Sequence, residues 1–282
     1  MPFLQIPPLP PDTARAAEHA FGREHICLRI GRELEALLAG FETPGLPAHT
    51  DIPSRIFWPY SLASILQYWE DLTDSQMNRA ARSRLDLKYA LHLPLDFPGF
   101  ELTALCTFRH RLVADPIAKI AFEDMVLRLK PFFPDPAKQA ANGGEIISAL
   151  CLLARAELIL QTMSNALEAI AAQFPDWLIA VAKPHWYARY SRKAGPHHLP
   201  REANQTRELL QSVGEDGQYL LQQALKSDRD GLAVLPEVFL LCQEWQRQFR
   251  LQGEAVTLFP SECASCNRHL PIAPGLIHDH IS

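Results

Sequence analysis

The chain has 282 residues, 48% of them apolar, and a formal charge of −5. That length accommodates one large or two ordinary domains, and the apolar share is that of a packed globular protein. The acidic balance argues against a nucleic-acid coat protein that is basic all over, yet it leaves room for a local basic face, because binding depends on where the charges sit. Residues 1–11 hold five prolines and no basic n-region, so no secretory signal is expected. The longest strongly apolar stretch, residues 146–154, is too short to span a bilayer. These features predict a soluble, cytoplasmic protein with no membrane partner.

In chain order, residues 12–40 read as two short helices. Asp12 is placed to cap the first, and Ile26, Ile30, Leu34, Leu37 and Leu38 form an apolar stripe on the second. Residues 41–57 are Pro-rich and read as a loop. A third helix is expected from Trp58, with Pro59 in its first turn, where proline fits. The run Thr73-Asp74-Ser75-Gln76 is a capping box, so a fourth helix opens there and is expected to reach Leu91. Residues 101–113 are helical again, with Leu102, Leu105, Phe108 and Leu112 on one face, and another helix follows Asp115-Pro116 and stops before Pro131. Residues 131–144, rich in Pro and Gly, read as a linker. A long helix is expected over 145–174, then shorter ones near 176–182, 184–191, 202–212, 215–227 and 232–251. No stretch alternates with period two.

The fold class is therefore all-α: an N-terminal helical domain over 1–130, the linker at 131–144, a second helical bundle over 145–252 and an irregular tail over 253–282. Cys27, Cys106, Cys151 and Cys242 lie in apolar periodic stretches and read as small buried hydrophobes with free thiols.

The segment Arg82-Ser83-Arg84-Leu85-Asp86-Leu87-Lys88-Tyr89-Ala90-Leu91 is followed by Leu93-Pro94-Leu95-Asp96, Pro98-Gly99-Phe100 and Phe108-Arg109-His110-Arg111-Leu112. In this order the blocks resemble the N-terminal, DNA-binding domain of bacterial insertion-sequence DDE transposases, and the upstream run from Leu66 to Asp74 is similar to the helix preceding them. Past the linker, Phe174-Pro175-Asp176-Trp177-Leu178, Trp186-Tyr187-Ala188-Arg189-Tyr190, Leu199-Pro200 and Val213-Gly214-Glu215-Asp216-Gly217 resemble a helical insertion in the catalytic domain of a subset of that family. The resemblance implies a helix-turn-helix-like DNA-binding domain, and transposon-end DNA as partner.

The departure from the family is equally informative. The resemblance places the first metal-binding carboxylate at about residue 142, where this chain has Asn142, and no Asp lies between Pro136 and Asp176. The second Asp and the Glu of the triad are expected beyond residue 282. Two-metal phosphodiester chemistry needs convergent carboxylates to hold its hard cations. So no catalytic residue, no metal site and no cofactor is assigned; Mg²⁺ is expected only for an intact family member.

The candidate DNA-binding residues are Arg79, Arg82, Arg84, Lys88, Arg109, His110 and Arg111. Between residues 79 and 111 six cationic side chains face three acidic ones, a local positive surplus suited to phosphate contact, with Arg109 and His110 in reach of base edges. The bland alternative is a solvated helix face with pairs such as Arg82–Asp86 at i, i+4. The aromatics Trp58, Tyr60, Tyr68, Trp69, Trp177, Trp186, Tyr187, Tyr190 and Trp245 stand at helical spacing, which points to core packing rather than base stacking. Cys263-x₂-Cys266-x₂-His269, with His278 and His280, offers zinc-type ligands at a spacing too short for the usual finger, and His197-His198 reads as an exposed pair. The combined expectation is a transposase-derived protein that binds DNA without cutting it. A homo-oligomer or an intact transposase is a further possible partner. The alternative is a helical protein-interaction module or repressor acting through residues 145–251.

Overall fold

The computed structural model describes residues 6–39, 52, 54–101, 103–190, 199–200, 202–227, 231–253 and 255–259. The described chain is almost entirely helical: α1 (Pro11–Ala20), α2 (Ile26–Leu38), α3 (Ser54–Trp69), α4 (Asp74–Ser83), α5 (Leu85–Ala90), α6 (Ala104–Ala114), α7 (Pro116–Leu129), a 3-10 turn (Lys130–Phe132), α8 (Pro136–Ala140), α9 (Gly143–Gln173), α10 (Pro175–Val181), α11 (Trp186–Tyr190), α12 (Ala203–Leu225) and α13 (Pro236–Gln248). One antiparallel hairpin, β1 (Phe249–Gln252) with β2 (Ala255–Leu258), follows α13. The all-α class holds, with this two-stranded element as its one departure among the described residues.

Local chemistry explains most boundaries. Thr73 accepts from the Gln76 N–H at 3.2 Å while Gln76 accepts from the Thr73 N–H at 2.8 Å, the reciprocal capping box that starts α4. Asp115 accepts from Ile117 and Ala118 to start α7, whose proline sits at N1. Asn142 and Glu145 exchange two 2.9 Å bonds at the start of α9. The first helix begins one residue before Asp12, and Asp12 pairs with Arg15 in the first turn instead of capping.

Further element boundaries need correction. The third helix starts at Ser54, so Pro59 lies inside it rather than in its first turn. The fourth breaks at Arg84, whose extended backbone separates α4 from α5. The expected helices at 202–212 and 215–227 are one continuous α12. Residues 131–144 carry a 3-10 turn and a short helix, and Phe133 stacks on Trp69 with ring centroids 3.8 Å apart. The division into two compact units falls between Cys151 and Leu152, within α9. Leu102, most of the 41–57 loop, the His197-His198 pair and the cysteine–histidine tail from 263 lie outside the described residues.

In the N-terminal unit, α5 packs on α1 and α2, and α3 packs on α4, α6 and α7. Leu28, Ile30, Leu34, Phe57, Leu62 and Phe122 are buried there. Cys27 and Cys151 are buried and Cys242 half-buried, none of them in a disulfide, whereas Cys106 is disulfide-bonded and so departs from the free-thiol expectation.

In the C-terminal unit, Ile159, Met163, Ala166 and Ile170 of α9 meet Leu210, Val213, Leu220 and Ala224 of α12, with Trp186, Tyr190, Leu241, Trp245 and Phe249. By length and composition α9 is the one described helix able to cross a membrane, but half of its most apolar window is buried inside the protein.

Gly214 explains why α12 does not break. A Cβ there would lie 2.6 Å from Phe249 Cε1, and the Trp245 indole N–H donates to the Gly214 carbonyl at 2.8 Å. The glycine is a contact point within a helix, not a stop. Gly214→Ala should therefore cost about 1–3 kcal/mol through overpacking, read as a lower denaturation midpoint. Adding Phe249→Leu should restore part of that loss; strict additivity of the two changes would remove this account of the contact.

Candidate nucleic-acid interface

The seven basic residues expected to face DNA separate into two groups. Arg109, on α6, is fully buried. Its Nη2 donates to Asp74 Oδ2 at 2.6 Å and its Nη1 to Gln67 Oε1 at 3.5 Å. Gln67 in turn donates to Asp74 Oδ1 at 2.8 Å and to the Leu72 carbonyl at 3.1 Å. One guanidinium thus joins α3, α4 and α6, and it faces inward, contrary to the expectation that it is in reach of base edges. The reason is that Asp74 and Gln67 supply acceptors inside the core, where a charged group is tolerated only when paired.

Arg84 and Lys88 are also committed. Arg84 makes a bidentate pair with Glu70 and another with Asp86, the Nη2–Oδ2 distance to Asp86 being 2.6 Å. The Arg82–Asp86 pair named under the alternative does not form, because the helix breaks at Arg84 and Arg84 takes the carboxylate. Lys88 is 3% exposed and donates to the Leu95 carbonyl. The exposed members are Arg79 and Arg82 on α4 and His110 and Arg111 on α6. The turn between those helices depends on Gly99, whose φ is +96° and where a Cβ would meet Asn78 Oδ1 at 2.3 Å.

Next to Arg84, the ligand-type atoms of His25, Cys27 and Asp86 lie within 4.8 Å of one another. The surroundings do not suit a cation. Burial, then the Asp86 and Glu70 charges, push the Cys27 thiol far up, and the Arg84 guanidinium already neutralises Asp86. Burial alone would raise the Asp86 carboxyl as well. The Arg84 bonds and charge outweigh it, helped by the Leu87 N–H and His25, and hold the carboxyl below its ordinary value.

A second ionic cluster lies in the C-terminal unit and was not singled out from the sequence. Asp216, on α12, is 2% exposed. It accepts from Arg189 at 2.5 Å, the Tyr190 hydroxyl at 2.8 Å, Lys183 at 3.2 Å and His185 at 3.3 Å. Burial would raise its pKa. The donors around it (Trp186, Tyr190, Lys183 and His185) outweigh burial and lower it, Trp186 acting from outside strict hydrogen-bond geometry. Burial and the neighbouring carboxylate push the Tyr190 phenol well up, so it remains a donor. The signal was present: Asp216 follows Leu210 and Val213 and precedes Leu220 on the apolar stripe of α12, where a charged residue needs a partner. The aromatics divide as well, with Trp58, Trp186, Tyr190 and Trp245 in the core and Tyr187 exposed.

Two outcomes follow from this partition. Arg109→Ala should lower the stability of the N-terminal unit by about 3–5 kcal/mol, because it leaves Asp74 without its buried partner. Arg82→Ala and His110→Ala should each stay within about 0.5 kcal/mol of wild type; equal losses at buried and exposed positions in urea titrations would contradict it. The depressed Asp86 value fixes a pH dependence. Its stabilising effect is present above the unfolded pKa, about 3.9, and is lost as pH falls through the lower folded value. The destabilisation caused by Arg84→Gln should hence be full near pH 6 and shrink below about pH 4, when measured as the difference in unfolding free energy across pH.

Comparison with protein-family models, with curated proteins and with solved structures finds no match to this chain.

Proposed function

We propose that this chain is a transposase-family protein that binds transposon-end DNA through a helix-turn-helix-like use of α4 to α6, and that by itself it does not cut or join DNA. The observation that carries the reading is the set of exposed basic side chains, Arg79 and Arg82 on α4 with His110 and Arg111 on α6, inside the segment whose motif order resembles the family's DNA-binding domain. The buried Arg109–Asp74 pair fixes α6 against the start of α4, so the exposed groups are presented from a rigid base. Arg79, Arg82 and Arg111 supply phosphate contact, and base contact is assigned to His110. Asn142 caps a helix through its side-chain amide, a role that needs no carboxylate. Cytoplasmic residence belongs to the same proposal; Cys27 and Cys242, which form no disulfide, suit a reducing compartment and the Cys106 disulfide does not.

A second reading has its own support. A protein-interaction module, or a repressor that partners an intact transposase, would use exposed apolar side chains of the C-terminal unit such as Ile179, Leu225 and Val234, each more than 70% exposed.

Salt-dependent gel shifts with transposon-end duplexes separate the two. On the DNA reading, Arg79→Ala, Arg82→Ala and Arg111→Ala each weaken all duplexes similarly and reduce the salt slope by about one. With Mg²⁺ or Mn²⁺ the purified chain leaves the duplex uncut. Unchanged affinity in a folded triple variant, or metal-dependent cleavage that survives repurification, refutes it and leaves the interaction module standing.

A further inference from the structure

The cluster around Asp216 holds more positive charge than it needs. One carboxylate, nearly without solvent contact, is met by Lys183, His185 and Arg189 as well as by the Tyr190 hydroxyl. Two of those partners are permanent cations, so the cluster carries a surplus of at least one positive charge. Residues 183–190 contain no Asp or Glu to offset it.

The partners also differ from Asp216 in exposure. Their side chains are 34%, 48% and 26% exposed for Lys183, His185 and Arg189, against 3% for Asp216. Each spends one hydrogen-bonding group on the carboxylate. A lysine has three donors and an arginine five, so N–H groups remain that the carboxylate does not use. Their directions are set from beneath. Asp216 sits on the 23-residue helix α12. The Lys183 ammonium lies 4.6 Å from the centroid of the Tyr219 ring, and Trp186 packs against both Tyr190 and Tyr219. Long cationic side chains usually lose conformational freedom on binding an anion; here that ordering is already in place.

We infer that Lys183, His185 and Arg189, ordered by the buried Asp216, form a binding site for a phosphate group. The inference rests on the DNA-binding reading in one respect: the expected source of the phosphate is the backbone of bound DNA, a free phosphate ion being the other source of the same chemistry. Asp216 is the positioning residue and does not touch the ligand. No base is read here, so the contact adds affinity without sequence preference.

The test uses the full chain with a duplex of arbitrary sequence and, separately, inorganic phosphate. Lys183→Gln and Arg189→Gln are each expected to lower the salt slope of duplex binding by about one. Lys226→Gln removes an exposed cation from the same unit and is expected to leave the slope unchanged. Asp216→Asn adds net positive charge, so diffuse attraction predicts tighter binding, whereas a site ordered by Asp216 predicts weaker binding. Thermal melts identify any variant that fails to fold, and Lys183→Gln, at the half-exposed rim of the cluster, remains informative if the others do.

In the phosphate arm, the ring resonances of His185, assigned with His185→Gln, are expected to shift in wild type and not in Lys183→Gln. Duplex binding that is the same in wild type, Lys183→Gln and Arg189→Gln overturns this site and leaves the N-terminal interface intact. No duplex binding, with His185 still shifted by phosphate, overturns the DNA reading and retains the site for a free ion. Neither response overturns both.

Discussion

The N-terminal unit depends on one pairing, the buried guanidinium of Arg109 against Asp74. A charge with no exposed surface is tolerated only where acceptors are fixed around it. Here those acceptors come from two other helices, Asp74 in the first turn of α4 and Gln67 in α3. The capping box at Thr73 places Asp74 at the helix N-terminus, where the macrodipole favours a carboxylate. The cap, the carboxylate and the guanidinium constrain one another, and the spacing of three helices follows. The Asp216 cluster applies the same principle in the C-terminal unit, with a buried carboxylate in place of the buried cation.

Much of the fold was legible because its signals are local. Helix starts at Thr73 and Asp115 follow from caps that need only three or four residues to be recognised. Where contacts between distant residues decide the outcome, the sequence misleads. Gly214 falls at the expected break between two helices, yet Gly214 and Gly217 are both sites of close approach, to Phe249 and Trp245 on other elements. The break at Arg84 has the opposite character. Residues 74–90 have good helical periodicity throughout, but a straight helix would not let Arg84 meet both Glu70 and Asp86. The hairpin at 249–258 has strands of only four residues, too short for alternation to show, and its turn rests on Gly253 at φ +63°.

The site was less legible than the fold, for a related reason. Leu105, Phe108, Arg109 and Leu112 stand at i, i+3, i+4 and i+7, so Arg109 occupies the buried stripe of α6. Charge type argued for an outward position; spacing argued for an inward one, and spacing prevailed because Asp74 was available. Asp216 repeats the pattern on α12. A charged residue at a stripe position is evidence of a buried partner, and identifying that partner requires the tertiary structure.

Most of the residues that carry the family resemblance are therefore not exposed, Arg82 and Arg111 being exceptions. Arg84, Asp86, Lys88 and Arg109 are ion-paired or buried, and Tyr89 is 1% exposed. Their pattern specifies a fold, and fold alone does not carry function. Of the six cations between residues 79 and 111, Arg79, Arg82 and Arg111 are exposed, accompanied there by the exposed acids Asp96 and Glu101, while the half-exposed Arg84 is held by Glu70 and Asp86. Three phosphate contacts at about 0.9 each give a salt slope near 3, well under that of proteins making six to ten contacts. A chain of net charge −5 that binds DNA by this face alone would bind it weakly at physiological salt. Firm binding requires cations from elsewhere in the chain, and the surplus of positive charge ordered by Asp216 is where the C-terminal unit can supply them.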